Sequence, residues 1–224
     1  MKPTALFIGS IGVMAETSDI QRRAYNQALK EAGLDWEWDK ETYRELLTDS
    51  GGVKRLSRLN QEKEANLSDD DIKKIHARKT ELACQEIVND KTSLRPGVAE
   101  LIAKALEQGI KVALVTSTYQ ENIDAIAEAA GDDLPIDKLS AVMTRDDAEN
   151  NKPAPDVYLA ALKRLSLDSS EVIAIEDSEP SLKAAKQAGI YTVVTPGKFT
   201  DQQDFSEADQ QLESLEGFEL TIPR

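Results

Sequence analysis

The sequence predicts an α/β protein, in which helices cover both faces of a parallel sheet and a block of helices is inserted after the first strand. From residue 94 onward, short and continuous apolar segments alternate with helical patterns. This alternation is typical of parallel sheets whose strands are buried on both faces. An equally apolar segment stands at residues 5–9, but only helical patterns follow it until about residue 90. That first segment therefore belongs with the later ones, and the helices between them form an insertion.

Five apolar segments are the predicted strands. In chain order they are residues 5–9, 110–115, 140–144, 171–176 and 191–195. A helical pattern precedes each of the later strands. The first of these helices has Pro96 and Gly97 ahead of it and Gly109 behind it. In open sheets of this kind, ligands bind outside the carboxyl ends of the strands. We therefore look for functional residues at those ends.

The inserted block is predicted to be a helical cap. Ser18 and Gln21 have the spacing of a capping box at the start of its first helix. The acidic run after Ser68 suits the start of a long helix, because carboxylates interact favourably with that end of the helix dipole. The chain thus divides into a cap over 17–92 and an α/β core over 1–16 and 93–224.

The composition excludes several classes of function. The chain has 224 residues, of which 41 are acidic and 27 basic, and its formal net charge is −14. This charge argues against a nucleic-acid partner, whose phosphates require Lys and Arg, and it also disfavours an anionic membrane surface. No segment reaches the roughly 18 apolar residues of a membrane span. We expect a cytoplasmic protein, favour a monomer, and predict neither a nucleic-acid nor a membrane partner.

The single cysteine and the single histidine both lie in the long helix of the cap. Cys84 has no second cysteine with which to form a disulfide, and we expect it to be a small buried apolar group. His76 stands among charged residues, so we expect a solvated side chain on the surface.

Three strand ends carry side chains suited to a phosphorylated ligand. Thr116 and Ser117 offer hydroxyls and backbone N–H groups to an anion, although such residues also stabilise strand-to-helix turns. Lys152 is a compact cation beside prolines, which is useful against a phosphate but also common on surfaces. Glu176 and Asp177 are adjacent carboxylates after a buried strand, and this pattern favours Mg²⁺.

In combination, these features resemble the haloacid dehalogenase (HAD)-like hydrolase superfamily, in particular its branch of β-phosphoglucomutases and CbbY-like sugar-phosphate phosphatases. The matching segments are "RRAYNQALKEAGLDWEWD", "LRPGVAELI", "KPAPDVYLAAL", "AIEDSEPSLKAAKQAG" and "TVVTPGKFTDQQDF", and the resemblance spans nearly the whole chain. It implies a Rossmann-like core with a cap, Mg²⁺ as cofactor and a small phosphorylated ligand. It also assigns phosphate binding to Thr116, Ser117 and Lys152, and metal binding to Glu176 and Asp177.

The first strand departs from the pattern of this family. There, an aspartate nucleophile and an aspartate acid/base stand two residues apart, just before a glycine. Aligning "ALFIGSIGVMAET" by Gly12 places Gly9 at the nucleophile and Ile11 at the acid/base. Glycine offers no atom to which a phosphoryl group can be transferred, and isoleucine exchanges no proton. We therefore predict that the family's phosphoryl-enzyme mechanism is lost, and that any Mg²⁺ site is weakened.

Three hypotheses follow. The leading one is a pseudoenzyme that binds a phosphorylated ligand or a partner, with Lys152 less neutralised than in the family. The second is an active phosphatase with a rebuilt site, which would use Ser10, Thr116, Ser117 or Glu16, although strand alternation points Ser10 away from the ligand. The third, a nucleotide-binding loop at "GSIG", lacks the third glycine and the nearby second strand of that motif. Arg22, Arg23 and Lys54 of the cap are candidates for ligand selection.

Overall fold

The computed structural model describes residues 1–48 and 50–223. Within these residues, six strands form one parallel sheet in the order β3-β2-β1-β4-β5-β6. The strands are β1 Ala5–Ile8, β2 Lys111–Val115, β3 Ala141–Met143, β4 Val172–Glu176, β5 Tyr191–Val194 and β6 Gln210–Gln211. The first five confirm the predicted strands. The short β6 was not predicted, because its two glutamines are polar and exposed.

Strand β1 lies at the centre of the sheet because it is apolar on both faces. Its four residues are buried, and Ala5 pairs with Lys111 on one side and Val172 on the other. Leu6 belongs to the hydrophobic layer on one face of the sheet and Phe7 to the layer on the opposite face. This central position puts the turn after β1 in the middle of the edge where the strands end.

Eight α-helices are found in the described part of the chain. They are α1 Ser18–Glu31, α2 Lys40–Leu46, α3 Gly52–Glu62, α4 Asp69–Asn89, α5 Val98–Glu107, α6 Gln120–Ala130, α7 Asp156–Leu165 and α8 Glu179–Gln187. The first four all lie between β1 and α5, within the predicted cap, whose limits of 17–92 stay a prediction. None of the described helices has both the length and the apolar character needed to cross a membrane.

The start of α4 confirms one predicted helix terminus, and the start of α1 corrects another. Ser68 and Asp71 form a reciprocal capping box at α4. At α1 the N-cap residue is Thr17, and its side chain makes no capping bond. The capping box predicted for Ser18 and Gln21 is wrong, because the amide of Gln21 is buried and donates instead to Asn122 Oδ1 of α6, at 3.0 Å.

An aromatic cluster forms the hydrophobic centre of the cap. Its rings are Tyr25, Trp36, Trp38, Tyr43 and Phe199. Phe199 comes from the loop after β5, so the core contributes a side chain to the cap. Its ring meets that of Tyr43 edge-on at 5.6 Å, and the guanidinium of Arg44 lies 5.4 Å from its centre. Through these two contacts, the loop after β5 packs against α2 and connects it to the core.

The long helix α4 packs against both α1 and α6 and so connects the cap to the core. Cys84 lies on this side of α4, where its thiol donates to the carbonyl of Glu121 at 3.3 Å. The side chain is half-buried. The prediction of a buried cysteine is therefore wrong, because part of the side chain stays accessible to solvent.

Candidate ligand-binding site

A cavity of about 550 Å³ lies between the cap and the carboxyl ends of the strands. All the residues singled out from the sequence as the candidate site line it, namely Gly9, Ile11, Thr116, Ser117, Lys152, Glu176 and Asp177. They meet there because the ends of parallel strands share one edge of the sheet. The opposite wall comes from the cap, mainly from the start of α3 and from one face of α4.

A buried ion pair lies on the floor of this cavity. Lys152 Nζ is 2.5 Å from Glu176 Oε1, and both side chains are almost inaccessible to solvent. The same carboxylate oxygen accepts a hydrogen bond from the hydroxyl of Tyr158. Burial and the neighbouring charge of Glu176 raise the pKa of Tyr158 well above its usual value, so it stays a donor. Glu176 compensates the charge of Lys152 directly, while the expectation that Lys152 is less neutralised than in the family stays a prediction.

The space beside Gly9 is taken by the carboxylate of Glu176. A Cβ atom on Gly9 would lie 2.7 Å from Glu176 Oε2 and 2.9 Å from Val13 Cγ2. Ile11, at the position of the acid/base, brings an aliphatic side chain to the cavity. The floor consequently has no aspartate at these two positions that could take a phosphoryl group or transfer a proton.

Ser10 faces the end of the neighbouring strand, which differs from the prediction. Its Oγ is 2.7 Å from Thr116 Oγ1, and both residues are buried. Strand alternation does not extend to Ser10, because β1 ends at Ile8 and a tight turn begins, in which Gly12 has a φ of 80°. Thr116 Oγ1 also accepts from the N–H of Thr118 at 3.2 Å. Ser10 is thus paired with a hydroxyl and not with a base.

The acidic pair does not complete a magnesium site. One oxygen of Glu176 already holds Lys152 and Tyr158. Burial, with the charges of Glu176 and Glu16, raises the pKa of Asp177 to about 8. Among the residues described, no group of three or more His, Cys, Asp or Glu side chains is placed to hold a metal ion. The residues present therefore do not fit the Mg²⁺ site that the resemblance implies.

The cavity is basic although the protein as a whole is strongly acidic. Its described lining has six basic residues: Lys54, Arg55, Lys73, Lys79, Arg145 and Lys152. The acidic residues of the same described lining are only Glu176 and Asp177. In a chain of net charge −14, this local excess of positive charge favours an anionic ligand.

Of the three cap cations proposed from the sequence, only Lys54 lines the cavity. Arg22 and Arg23 instead form ion pairs with Asp19 of their own helix, and Arg23 also pairs with Glu86. These carboxylates hold the two arginines away from the cavity.

His76 was missed by the sequence reasoning, which placed it on the surface. It is 8% exposed and lies between the rings of Tyr25, at 6.4 Å, and Tyr119, at 5.6 Å. Burial, with the charges of Lys79 and Arg55, lowers the pKa of His76 to about 3. The available signal was helical phase, since His76 follows the buried Ile72 by four residues.

We expect His76 to make folding stability depend on pH. Its pKa is lower in the folded protein than the ordinary value of 6.5, so only the unfolded chain binds this proton between pH 6.5 and about 3. Stability therefore falls as the pH is lowered through this window, by up to about 1.4 kcal/mol per pH unit. The raised pKa of Asp177 gives the opposite dependence in both proteins, so the test is the difference in unfolding free energy between the natural protein and His76→Gln, which should fall from pH 8 to 5.

The imidazole gives a second measurement, because the chain has one histidine. Its ring protons should keep constant NMR shifts from pH 8 to 5. A titration near pH 6.5, or equal pH dependence of the two proteins, would show that the ring is hydrated.

The fold and the cavity together define a capped α/β protein whose candidate site lies at the carboxyl ends of its strands. The chain belongs to the haloacid dehalogenase-like hydrolase family, whose sequence model matches residues 6–189. Curated relatives include the protein CbbY of Cereibacter sphaeroides, 37% identical over 218 residues and 95% of each chain. The plasmid-encoded CbbY of Cupriavidus necator is 40% identical over 210 residues, which cover 91% of this chain and 82% of the relative. These matches place the chain in the CbbY-like branch of sugar-phosphate phosphatases.

Solved structures agree with this assignment. CbbY from Rhodobacter sphaeroides, in complex with phosphate, superposes with a TM-score of 0.89 at 36% identity, over 96% of both chains. A mutant form of that protein, in complex with xylulose-1,5-bisphosphate, gives a TM-score of 0.88 at 35% identity, again over 96% of both chains. A β-phosphoglucomutase from Clostridium difficile, at 19% identity and a TM-score of 0.79 over 97% of this chain and 93% of the other, shares the fold.

Proposed function

We propose that this protein binds a small sugar phosphate between cap and core and does not hydrolyse it. The observation that carries the proposal is a basic cavity whose positions for nucleophile and acid/base hold Gly9 and Ile11. Binding requires only complementary charge and hydrogen bonds, whereas turnover through a phosphoryl-enzyme requires the missing carboxylates. The protein is then a pseudoenzyme, and its ligand serves a regulatory or partner-binding role.

The phosphate of the ligand would bind at the floor of the cavity. Ser10, Thr116 and Ser117 contribute hydroxyls there, and Lys152 adds a cation held in place by Glu176. Lys54 of the cap and the other basic residues of the lining then face the rest of the ligand. The complexes of CbbY with phosphate and with xylulose-1,5-bisphosphate support this class of ligand, since the chain shares their fold and more than a third of their sequence.

The alternative of a rebuilt active site has less support. Ser10 and Thr116 bind each other through their hydroxyls, and neither is activated by a base. The carboxylate of Glu16 accepts the backbone N–H groups of Ser18 and Lys198 and does not line the cavity. No alternative nucleophile is prepared by these contacts. We also propose that Mg²⁺ binds weakly at best, so that a chelator leaves ligand affinity unchanged.

Calorimetry with three compounds tests the binding proposal. Xylulose-1,5-bisphosphate and inorganic phosphate should give saturable heat, while unphosphorylated xylulose should not. Arg145→Gln should weaken the binding of the bisphosphate by about ten- to a hundredfold, because a charge-assisted hydrogen bond is lost. The matched control is Lys104→Gln, which removes an exposed cation outside the cavity and should leave affinity unchanged.

Two results would contradict the proposal. Absence of heat at millimolar ligand would refute binding, and phosphate release above a protein-free control would refute the lack of hydrolysis.

A further inference from the structure

Lys79 has the environment of a reactive amine. It lies on α4, lines the ligand cavity and is 6% exposed. Its ammonium donates to the side-chain oxygen of Gln21 and lies 4.7 Å from the centre of the Tyr25 ring. Gln21 is fixed in turn by Asn122 of the core, at 3.0 Å. The nitrogen is therefore held at a defined place on the cap wall of the cavity.

The described residues offer Lys79 no carboxylate partner. Burial and the charge of Arg55 lower the pKa of Lys79 to about 7, against a smaller opposing effect of Cys84. Exposed Lys74, on the same helix, shows the opposite behaviour, because its ion pair with Asp70 raises its pKa. A desolvated lysine beside another cation is the standard way in which proteins obtain a nucleophilic amine at neutral pH.

We propose that Lys79 forms a Schiff base with sugar phosphates that carry an aldehyde or a ketone. The inference rests on the proposed ligand site, because the phosphate on the floor would hold the carbonyl compound in the cavity. The neutral amine attacks the carbonyl carbon and forms a carbon–nitrogen bond. The nitrogen loses its two hydrogens and the carbon loses its oxygen, and these leave together as one molecule of water.

The cavity and the ligand class suit this reaction. Lys152 and Lys79 line the same space of about 550 Å³ from opposite sides, core and cap. A ligand anchored at one end reacts at the other with a high effective concentration. In a pentulose phosphorylated at both ends, such as xylulose-1,5-bisphosphate, the C5 oxygen that would close a ring onto the C2 ketone carries a phosphate. Its ketone therefore stays available to the amine.

Reductive trapping tests the proposal. The full-length protein is incubated at pH 7 with xylulose-1,5-bisphosphate and sodium cyanoborohydride, and the adduct is located by mass spectrometry of its peptides. We expect one stable adduct per chain at Lys79, with labelling at least about a hundredfold above that of Lys74, because far more of the buried amine is neutral. Excess inorganic phosphate should compete, and unphosphorylated xylulose should not label this site.

Two variants serve as controls. Lys79→Arg keeps the positive charge and should lose the adduct, with its fold checked by circular dichroism. Lys74→Arg, on the exposed side of α4, should be labelled as the natural protein is. The peptide map of the natural protein decides the question even if Lys79→Arg does not fold.

The outcomes separate this inference from the proposed function. Calorimetric binding of the bisphosphate without an adduct at Lys79 overturns the Schiff base and leaves the binding proposal intact. Labelling spread equally over exposed lysines also overturns it. Absence of both heat and adduct overturns both proposals.

Discussion

A Gly9→Asp/Ile11→Asp double variant is expected to release phosphate from a sugar phosphate in the presence of Mg²⁺, at least about a thousandfold faster than the natural protein. The first substitution supplies a nucleophile and a further carboxylate for the metal, and the second supplies the acid/base. Lys152, Thr116 and the acidic pair already occupy the surrounding strand ends. Phosphate release from a panel of sugar phosphates measures the effect.

The restored activity should stay below that of an intact family member. The new Cβ at position 9 would lie 2.7 Å from Glu176 Oε2, so the end of that side chain must move to make room. A Gly9→Asn/Ile11→Asn variant is the matched control, because it has nearly the same shape and no carboxylates. Activity in that control, or chelator-sensitive activity in the natural protein, would contradict the assignment of these positions and direct attention to Ser10.

Lys152→Met is expected to destabilise the fold by about 3–5 kcal/mol. The substitution leaves the buried Glu176 with no cation, since Lys152 Nζ is its ion-pair partner at 2.5 Å. Tyr158 still donates one hydrogen bond to this carboxylate, but a neutral donor does not replace a charge. Denaturant unfolding at pH 7, followed by circular dichroism, measures the loss.

The double variant Lys152→Met/Glu176→Gln is the matched control. Removing both charges eliminates the unpaired carboxylate, so it should recover a large part of the stability lost in Lys152→Met. If the single and double variants are equally unstable, the loss of stability comes from altered packing around residue 152 and not from the unpaired charge of Glu176.

Sequence patterns predicted the architecture because apolar runs and helical spacing are local signals. The five apolar segments form five neighbouring strands of the sheet. The rule that ligands bind at the carboxyl ends of the strands correctly predicted that Thr116, Lys152 and Glu176 line one cavity. The long run of helical patterns between the first two strands indicated the inserted cap. Strand β6 lacked any apolar signal, so no local rule could have found it.

The errors at the site concern side chains whose surroundings come from distant parts of the chain. His76 has charged neighbours in sequence, and it is buried by Tyr25, Gly52 and Tyr119, which come from other elements of the chain. Gln21 satisfies the spacing rule for a capping box, yet its partner Asn122 is 101 residues away. Sequence spacing also gave no sign that Lys152 and Glu176 bind each other, and their assignments to phosphate and metal stay predictions.

The ring of Phe199 would affect how long the proposed ligand stays bound. It comes from the core and is buried among the aromatic rings of the cap, so moving the cap away from this loop exposes it to water. Burial of a phenylalanine side chain contributes about 1.5–3 kcal/mol. Where release of the ligand requires that movement, this amount corresponds to a residence time about ten- to a hundredfold longer. A binding protein that turns nothing over gains a slow release from the same contact that would delay product release in an enzyme.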